Sequence, residues 1–236
     1  MSAKKPKILI TGASRGIGAS ILKSFEGTGA IAVGHSSKGG GEMLGADFAA
    51  DGAAETLWQA ALDRIGSIDV IINNAGIFDE NPLSAPEWPE NWARTMQVNL
   101  TASAELCRLA VLHWQSNGTA GRIVNIASRA AYRGDSPAHW HYAASKGGMV
   151  AMTKTIARAY ASDDILAFAI CPGFTMTGMA DDYLESRGGE KLLADIPLGR
   201  VAQPKEIAEM ARWCALDAPA SMTGAVLDAN GASYVR

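Results

Sequence analysis

The sequence predicts an α/β fold: one domain over residues 1–236, in which helices doubly wind a seven-stranded parallel sheet. Three observations lead there. Seven short apolar runs recur along the chain, most of them separated by stretches with helical spacing, the alternation that joins parallel strands through crossover helices. The first run ends in a glycine-rich turn that opens directly into a helical pattern. No linker divides the chain.

Lys7–Thr11 is the first strand, and Gly12-Ala-Ser-Arg-Gly16-Ile-Gly18 leads from it into a helix patterned by Ile17, Ile21, Leu22 and Phe25. In that position Gly12 allows a tight turn, Gly16 a close approach of a pyrophosphate to backbone N–H groups, and Gly18 close helix packing. Gly29–Gly34 is the second strand. At its end, where an acidic residue would hold a ribose 2′-hydroxyl, the chain carries His35, Ser36, Ser37 and Lys38, with Arg15 in the glycine turn. Hydroxyls and cations suit a 2′-phosphate, so the expected cofactor is NADP in preference to NAD. Gly39-Gly-Gly41 and then Met43–Phe48 leave too few residues for a helix, so a loop or single turn forms a shortened crossover between strands two and three.

Ala53–Arg64 has helical spacing, and Ser67–Ile72 is a strand whose continuous apolar run buries both faces. It ends in Asn73-Asn-Ala-Gly76, where a glycine lets backbone approach a ligand and amide side chains can brace adjacent strands. Ile77–Pro89 reads as loop, and a long helix covers Asn91–Gln115. Asn99 lies inside it, either on a solvated stripe or as a carboxamide binding an ordered water. Arg122–Ala127 is the fifth strand, closed by Ser128. A helix over His139–Ala161 carries Tyr142 and Lys146, and Asp164–Cys171 is the sixth strand. Pro172-Gly173 turns the chain away from the sheet, so residues 177–200 lie over the ligand crevice as a substrate lid. A helix over Pro204–Leu216 and a strand over Ala225–Asp228 complete the fold.

Composition excludes several functions. With 21 Lys and Arg against 24 Asp and Glu, the net charge of -3 offers no footprint for nucleic acid or an anionic membrane. No run approaches the ~18 apolar residues of a membrane span, and the short run Ile8–Ile10 does not make a secretory signal. Cys107, Cys171 and Cys214 are far apart and form no CxxC pair, so they read as reduced core thiols of a cytoplasmic protein. His139 and His141, two apart, point away from each other if helical, and no metal site is expected.

The chemistry concentrates between Ser128 and Lys146. Residues four apart on a helix share a face, so the Tyr142 phenol and the Lys146 ammonium reach one reaction centre. A nearby cation favours phenolate and is expected to lower the Tyr142 pKa, fitting it to donate or accept a proton. Ser128 adds a hydroxyl for a carbonyl or alcohol oxygen.

Thr11-Gly-x-x-x-Gly-x-Gly18, Asn73-Asn-Ala-Gly76, Asn99, Ser128, Tyr142-x-x-x-Lys146 and Pro172-Gly173 occur in the order seen in the short-chain dehydrogenase/reductases, which the sequence resembles over nearly its whole length. The resemblance implies a Rossmann fold and the catalytic set Asn99, Ser128, Tyr142 and Lys146. Tyr142 would be the acid/base, Lys146 would hold the nicotinamide ribose and lower the tyrosine pKa, Ser128 would orient the substrate oxygen, and Asn99 would bind a water in a proton relay. The implied cofactor-binding set is Gly12, Ser14, Arg15, Gly16, Ile17, Gly18, Ser36, Ser37, Asp47, Phe48, Asn74, Ala75, Gly76, Tyr142, Lys146, Pro172, Gly173, Thr175 and Thr177. Within it Asp47 would meet the adenine amino group and Thr177 the nicotinamide carboxamide. Similar proteins are commonly tetramers built in part from the two long helices, so a homotetramer or homodimer is expected.

The expected activity is NAD(P)-dependent hydride transfer between nicotinamide and a small-molecule carbonyl or secondary alcohol. A 3-oxoacyl thioester reductase and a sugar, polyol or cyclic alcohol dehydrogenase both fit. An NADP-sensing regulator without turnover is the alternative from another class. Arg129, Trp140 and Phe174 are candidate substrate contacts; Arg129 and Arg133 either recognise a carboxylate, phosphate or acidic carrier, or are solvated.

Overall fold

The structure, a computed structural model, describes residues 5–177 and 189–236. Its strands are β1 (Lys7–Ile10), β2 (Ile31–Ser36), β3 (Leu44–Gly45), β4 (Val70–Asn73), β5 (Gly121–Ile126), β6 (Ile165–Pro172) and β7 (Val226–Ala229). They form the expected seven-stranded sheet in the order β3-β2-β1-β4-β5-β6-β7, and every pairing is parallel. The helices are α1 (Gly16–Ser24), α2 (Ala53–Ile65), α3 (Trp88–Met96), α4 (Ala102–Asn117), α5 (Ala130–Arg133), α6 (Trp140–Tyr160), α7 (Gly189–Ala194) and α8 (Pro204–Leu216).

Alternation along each strand sorts side chains onto two faces. Leu9, Ile71 and Ile123 face a core completed by Leu57 of α2, Leu106 of α4 and Ile156 of α6. Ile8, Ile10, Ile72 and Val124 face the opposite core with Ile21 of α1 and Ile207 of α8. The chain winds outward in both directions from β1 and β4, and the crevice at their C-terminal ends is the topological switch point where ligands of such sheets bind. Between β2 and β3 there is no helix, matching the shortened crossover.

Some elements differ from expectation. The long helix starts earlier, at Trp88, because Pro89 sits in its first turn, where its missing N–H costs nothing. The same helix is interrupted by a π turn over Gln97–Thr101 that holds Asn99, with the Ala102 N–H donating to the Gln97 carbonyl. A single-turn helix, α5, follows Ser128, whose Oγ accepts from the Ala130 N–H at 3.1 Å and whose carbonyl accepts from the Ala131 N–H at 3.0 Å. One turn has no periodicity to read. Of the expected lid, residues 178–188 lie outside the described residues; beyond them Leu193, Ile196 and Val201 pack with Met176. No described helix is long and apolar enough to cross a membrane.

Candidate active site

The glycine turn is held by backbone geometry that side chains would destroy. Gly12 and Gly16 have φ of 64° and 55°, the left-handed region that favours glycine. A Cβ on Gly12 would lie 2.7 Å from the Ala75 Cα, and one on Gly18 would overlap the Gly12 carbonyl oxygen. The first turn is also fastened to the end of β4. Thr11 Oγ1 accepts from the Asn74 and Ala75 N–H groups, both at 3.0 Å, while Asn74 Nδ2 donates to the Thr11 and Gly12 carbonyls. The N-terminus of α1 therefore opens onto a glycine-lined cradle, the backbone form that admits a pyrophosphate. Across it, Thr177 packs over Gly16, and a Cβ on Gly16 would lie 3.1 Å from its Cγ2.

His35 turns inward. Its Nδ1 accepts from the Gly12 N–H at 3.2 Å and its Nε2 pairs with the Ala46 carbonyl at 2.8 Å, which requires the neutral ring protonated on Nε2. Burial lowers its pKa, and the ring stacks on Phe48 at 4.5 Å between centroids. His35 is thus a strut between the glycine turn and the shortened crossover. The rim beside it is formed by half-buried Ser36 and by exposed Ser14, Arg15, Ser37 and Lys38. Asp47 is exposed, and its Oδ1 accepts from the Ala49 N–H at 3.1 Å.

Ser128, Tyr142 and Lys146 come together at the C-terminal end of β5. The Ser128 hydroxyl hydrogen-bonds the Tyr142 phenol. Lys146 Nζ lies 5.8 Å from the Tyr142 ring centre and donates to the Ile126 carbonyl at 2.9 Å. Gly76 faces this group: a Cβ there would stand 3.6 Å from Lys146 Nζ and 3.3 Å from Asn99 Oδ1. Asn99 is fully buried and pairs both ends of its carboxamide with Ile77, accepting from the N–H at 2.8 Å and donating to the carbonyl at 3.0 Å. Its side chain is a backbone clamp on the loop after Gly76. Asn73 and Asn125 brace β4 and β5 through a 2.8 Å bond.

One expectation is reversed by this geometry. Tyr142 is half-buried as a residue, yet burial of its phenol pushes the pKa up to about 12, with the Ser128 hydrogen bond opposing. Lys146 does not lower it in the ligand-free protein; buried itself, its ammonium is pushed down to about 8. Desolvation is the largest cause of both shifts. At neutral pH the tyrosine therefore holds its proton, the form that donates to a carbonyl oxygen.

The substrate side is aromatic and cationic. Phe78 stacks on His139 at 3.9 Å and meets the edge of Tyr142 at 4.7 Å. His139 and His141 do not point apart as expected: His139 precedes α6, and the rings lie 6.3 Å from one another. Arg129 is buried with its guanidinium 4.7 Å over the Phe174 ring, so these two candidates meet, while Trp140 is 52% exposed at the start of α6. Arg129 and Arg133 are both paired with Asp195; Arg129 is buried, whereas Arg133 remains exposed to solvent. Pro172 is buried at the end of β6, Gly173 lies against Asn230, and Thr175 Oγ1 donates to the Gly173 carbonyl at 3.2 Å. Phe78 and Asp195 were missed by sequence reasoning, as were the fastening role of Thr11 and the inward turn of His35 away from the rim. Thr11 had a signal, its place beside Gly12; the others are joined to the site by contacts distant in sequence.

Residues 12–231 match the family model described as "Enoyl-(Acyl carrier protein) reductase". The chain belongs to the short-chain dehydrogenase/reductase family. Relatives of this family include a 3-oxoacyl-(acyl-carrier-protein) reductase of Vibrio cholerae, 33% identical over 96% of both chains. A reductase of the same name from Pseudomonas aeruginosa is 34% identical over 100% of both chains. An acetoacetyl-CoA reductase of Rhizobium meliloti is 32% identical over 96% of this chain and 97% of its own. As a short-chain dehydrogenase/reductase the protein is an oxidoreductase that acts between carbonyl and alcohol with a nicotinamide cofactor. The glycine cradle and the opening that Gly76 leaves above Lys146 fit such a dinucleotide.

Proposed function

We propose that the protein is an NADPH-dependent 3-oxoacyl thioester reductase. The observation that carries the reading is the hydroxyl pair of Ser128 and Tyr142, protonated at neutral pH beside Lys146, at the mouth of a glycine-lined cradle. The printed names of the full-length relatives support the thioester. A nicotinamide held by this cradle would supply hydride for the carbonyl carbon. Tyr142 donates its proton to the developing alkoxide, and the Ser128 hydroxyl holds the same oxygen. Lys146 would hold the cofactor's ribose, and its charge would compensate the phenolate left behind. Asn99 fixes the loop after Gly76 so that this pocket keeps its shape; a water relay through it remains part of the proposal.

The preference for NADPH rests on Arg15, Ser36, Ser37 and Lys38, a rim without an acidic residue at the end of β2. Gly12, Ser14, Gly16, Ile17 and Gly18 would cradle the pyrophosphate, Asp47 and Phe48 the adenine, and Asn74, Ala75, Pro172, Gly173, Thr175 and Thr177 the nicotinamide half. We assign the whole chain to one catalytic domain with residues 177–200 as lid, in a cytoplasmic homotetramer or homodimer. The half-exposed Leu112 of α4, beside Met152 and Ile156 of α6, supports the helical contact.

Two measurements test the reading. Fluorescence titration with NADPH and NADH at matched salt is expected to show tighter NADPH binding; an NADH preference would make the rim assignment wrong. Turnover is then followed with the N-acetylcysteamine thioesters of 3-oxobutanoate and crotonate. Reduction of the first is expected, with Tyr142→Phe losing ~10² or more in rate. Reduction of crotonyl thioester alone would replace the carbonyl reading with an enoyl one, and near-parent turnover by Tyr142→Phe would remove the tyrosine from its role.

A further inference from the structure

Arg129 follows the active-site serine directly, and its guanidinium is buried against Phe174. One turn of α5 further on, Arg133 reaches the same place. Both direct Nη1 at one oxygen, Asp195 Oδ2, at 3.4 Å and 2.6 Å. Asp195 comes from the far end of the segment read as the lid, and 48% of its side chain is exposed. Arg133 also donates to the Ser233 carbonyl at 3.3 Å, and Asp135 acts on Arg129 through space.

This is a single-oxygen contact between a carboxylate and two guanidiniums, each of which offers a fork of donors suited to two-point binding of an oxyanion. The Asp195 carboxylate is half-exposed and end-on, a kind of ion pair that contributes little to stability and exchanges readily. A buried guanidinium stacked on an aromatic ring is, by contrast, a fixed receptor. We propose that Arg129 and Arg133 form a subsite for an oxyanion carried by the substrate, and that Asp195 occupies it as an internal surrogate until that anion displaces it. The inference rests on the thioester reductase reading and names the charge of its substrate. The oxyanion is either a carboxylate at the acyl end or the phosphate of a pantetheine arm.

The test compares three thioesters: 3-oxobutanoyl N-acetylcysteamine, which is neutral; 3-oxobutanoyl pantetheine 4′-phosphate; and the mono-N-acetylcysteamine thioester of 3-oxoglutarate, with a free carboxylate. For each charged substrate the readout is kcat/KM relative to the neutral one. Arg133→Gln is expected to lower that ratio about tenfold for the anion the site takes, the effect of losing a charge-assisted hydrogen bond. Arg133→Lys should restore part of it, and Asp195→Asn should raise the ratio by removing the internal competitor. The arm that responds identifies the source of the anion. Equal ratios in parent, Arg133→Gln and Asp195→Asn for both charged substrates would overturn the proposal. Calorimetric titration of the NADPH-loaded parent and Arg133→Gln with pantetheine 4′-phosphate and with glutarate gives a readout without turnover. If the parent reduces no thioester, the reductase reading fails. In that case, weaker binding of either anion by Arg133→Gln sustains the subsite, and equal binding of both removes it.

Discussion

Replacing Lys146 with methionine should make the ligand-free protein more stable at neutral pH while removing its activity. The side chain is 4% exposed, and burial brings its ammonium from 10.5 down to about 8. At 1.36 kcal/mol per pH unit, holding that charge in the folded state costs roughly 3 kcal/mol. Methionine removes the charge at similar length but leaves the Ile126 carbonyl without its 2.9 Å donor, a loss of about 1–2 kcal/mol. The net gain for Lys146→Met at pH 7 is therefore about 1–2 kcal/mol. Its pH dependence identifies the cause. Below the folded pKa both folded and unfolded chains are protonated and the penalty is complete. Between about 8 and 10.5 the folded chain releases the proton first, so parent stability rises with pH. Above that window the penalty is gone, and the parent should be the more stable protein by the value of its hydrogen bond. Urea unfolding of both proteins at pH 7, 9 and 11, without cofactor, measures the crossover. A Lys146→Met variant less stable than the parent at pH 7, or a difference constant with pH, would refute the argument that desolvation governs this group.

The remaining predictions concern the cradle. His35→Leu leaves the Gly12 N–H and the Ala46 carbonyl without partners and should cost roughly 2–4 kcal/mol in denaturant unfolding. Because burial lowers the His35 pKa, the folded state resists its protonation; stability should be complete above pH 6.5 and fall as pH drops below it, a slope absent in His35→Leu. Gly18→Ala places a methyl on the Gly12 carbonyl, so it should cost roughly 1–3 kcal/mol and abolish NADPH fluorescence enhancement; parent-like titration would show that the turn relaxes freely.

The order of elements in this chain is written locally. Continuous runs such as Ile8–Ile10 and Val70–Ile72, short and soon followed by Gly or Asn, read as buried strands. The tight glycine turn after β1 commits the backbone to a helix start whatever the rest of the chain does. The Tyr142 and Lys146 spacing likewise places both side chains on one face of α6, because 3.6 residues per turn is a property of the helix alone. What only tertiary structure decided is the environment of those groups. Whether Lys146 lowers the Tyr142 pKa depends on how much water each keeps, and burial of both beneath the loop clamped by Asn99 gave the opposite sign. His35 reads as a rim residue until β3 brings the Ala46 carbonyl to its Nε2. Arg129 and Asp195 are far apart in sequence, and nothing short of the tertiary structure could show that one carboxylate answers two arginines beside the active-site serine. Periodicity reports which face a residue takes; desolvation and pairing depend on what the rest of the chain lays against that face.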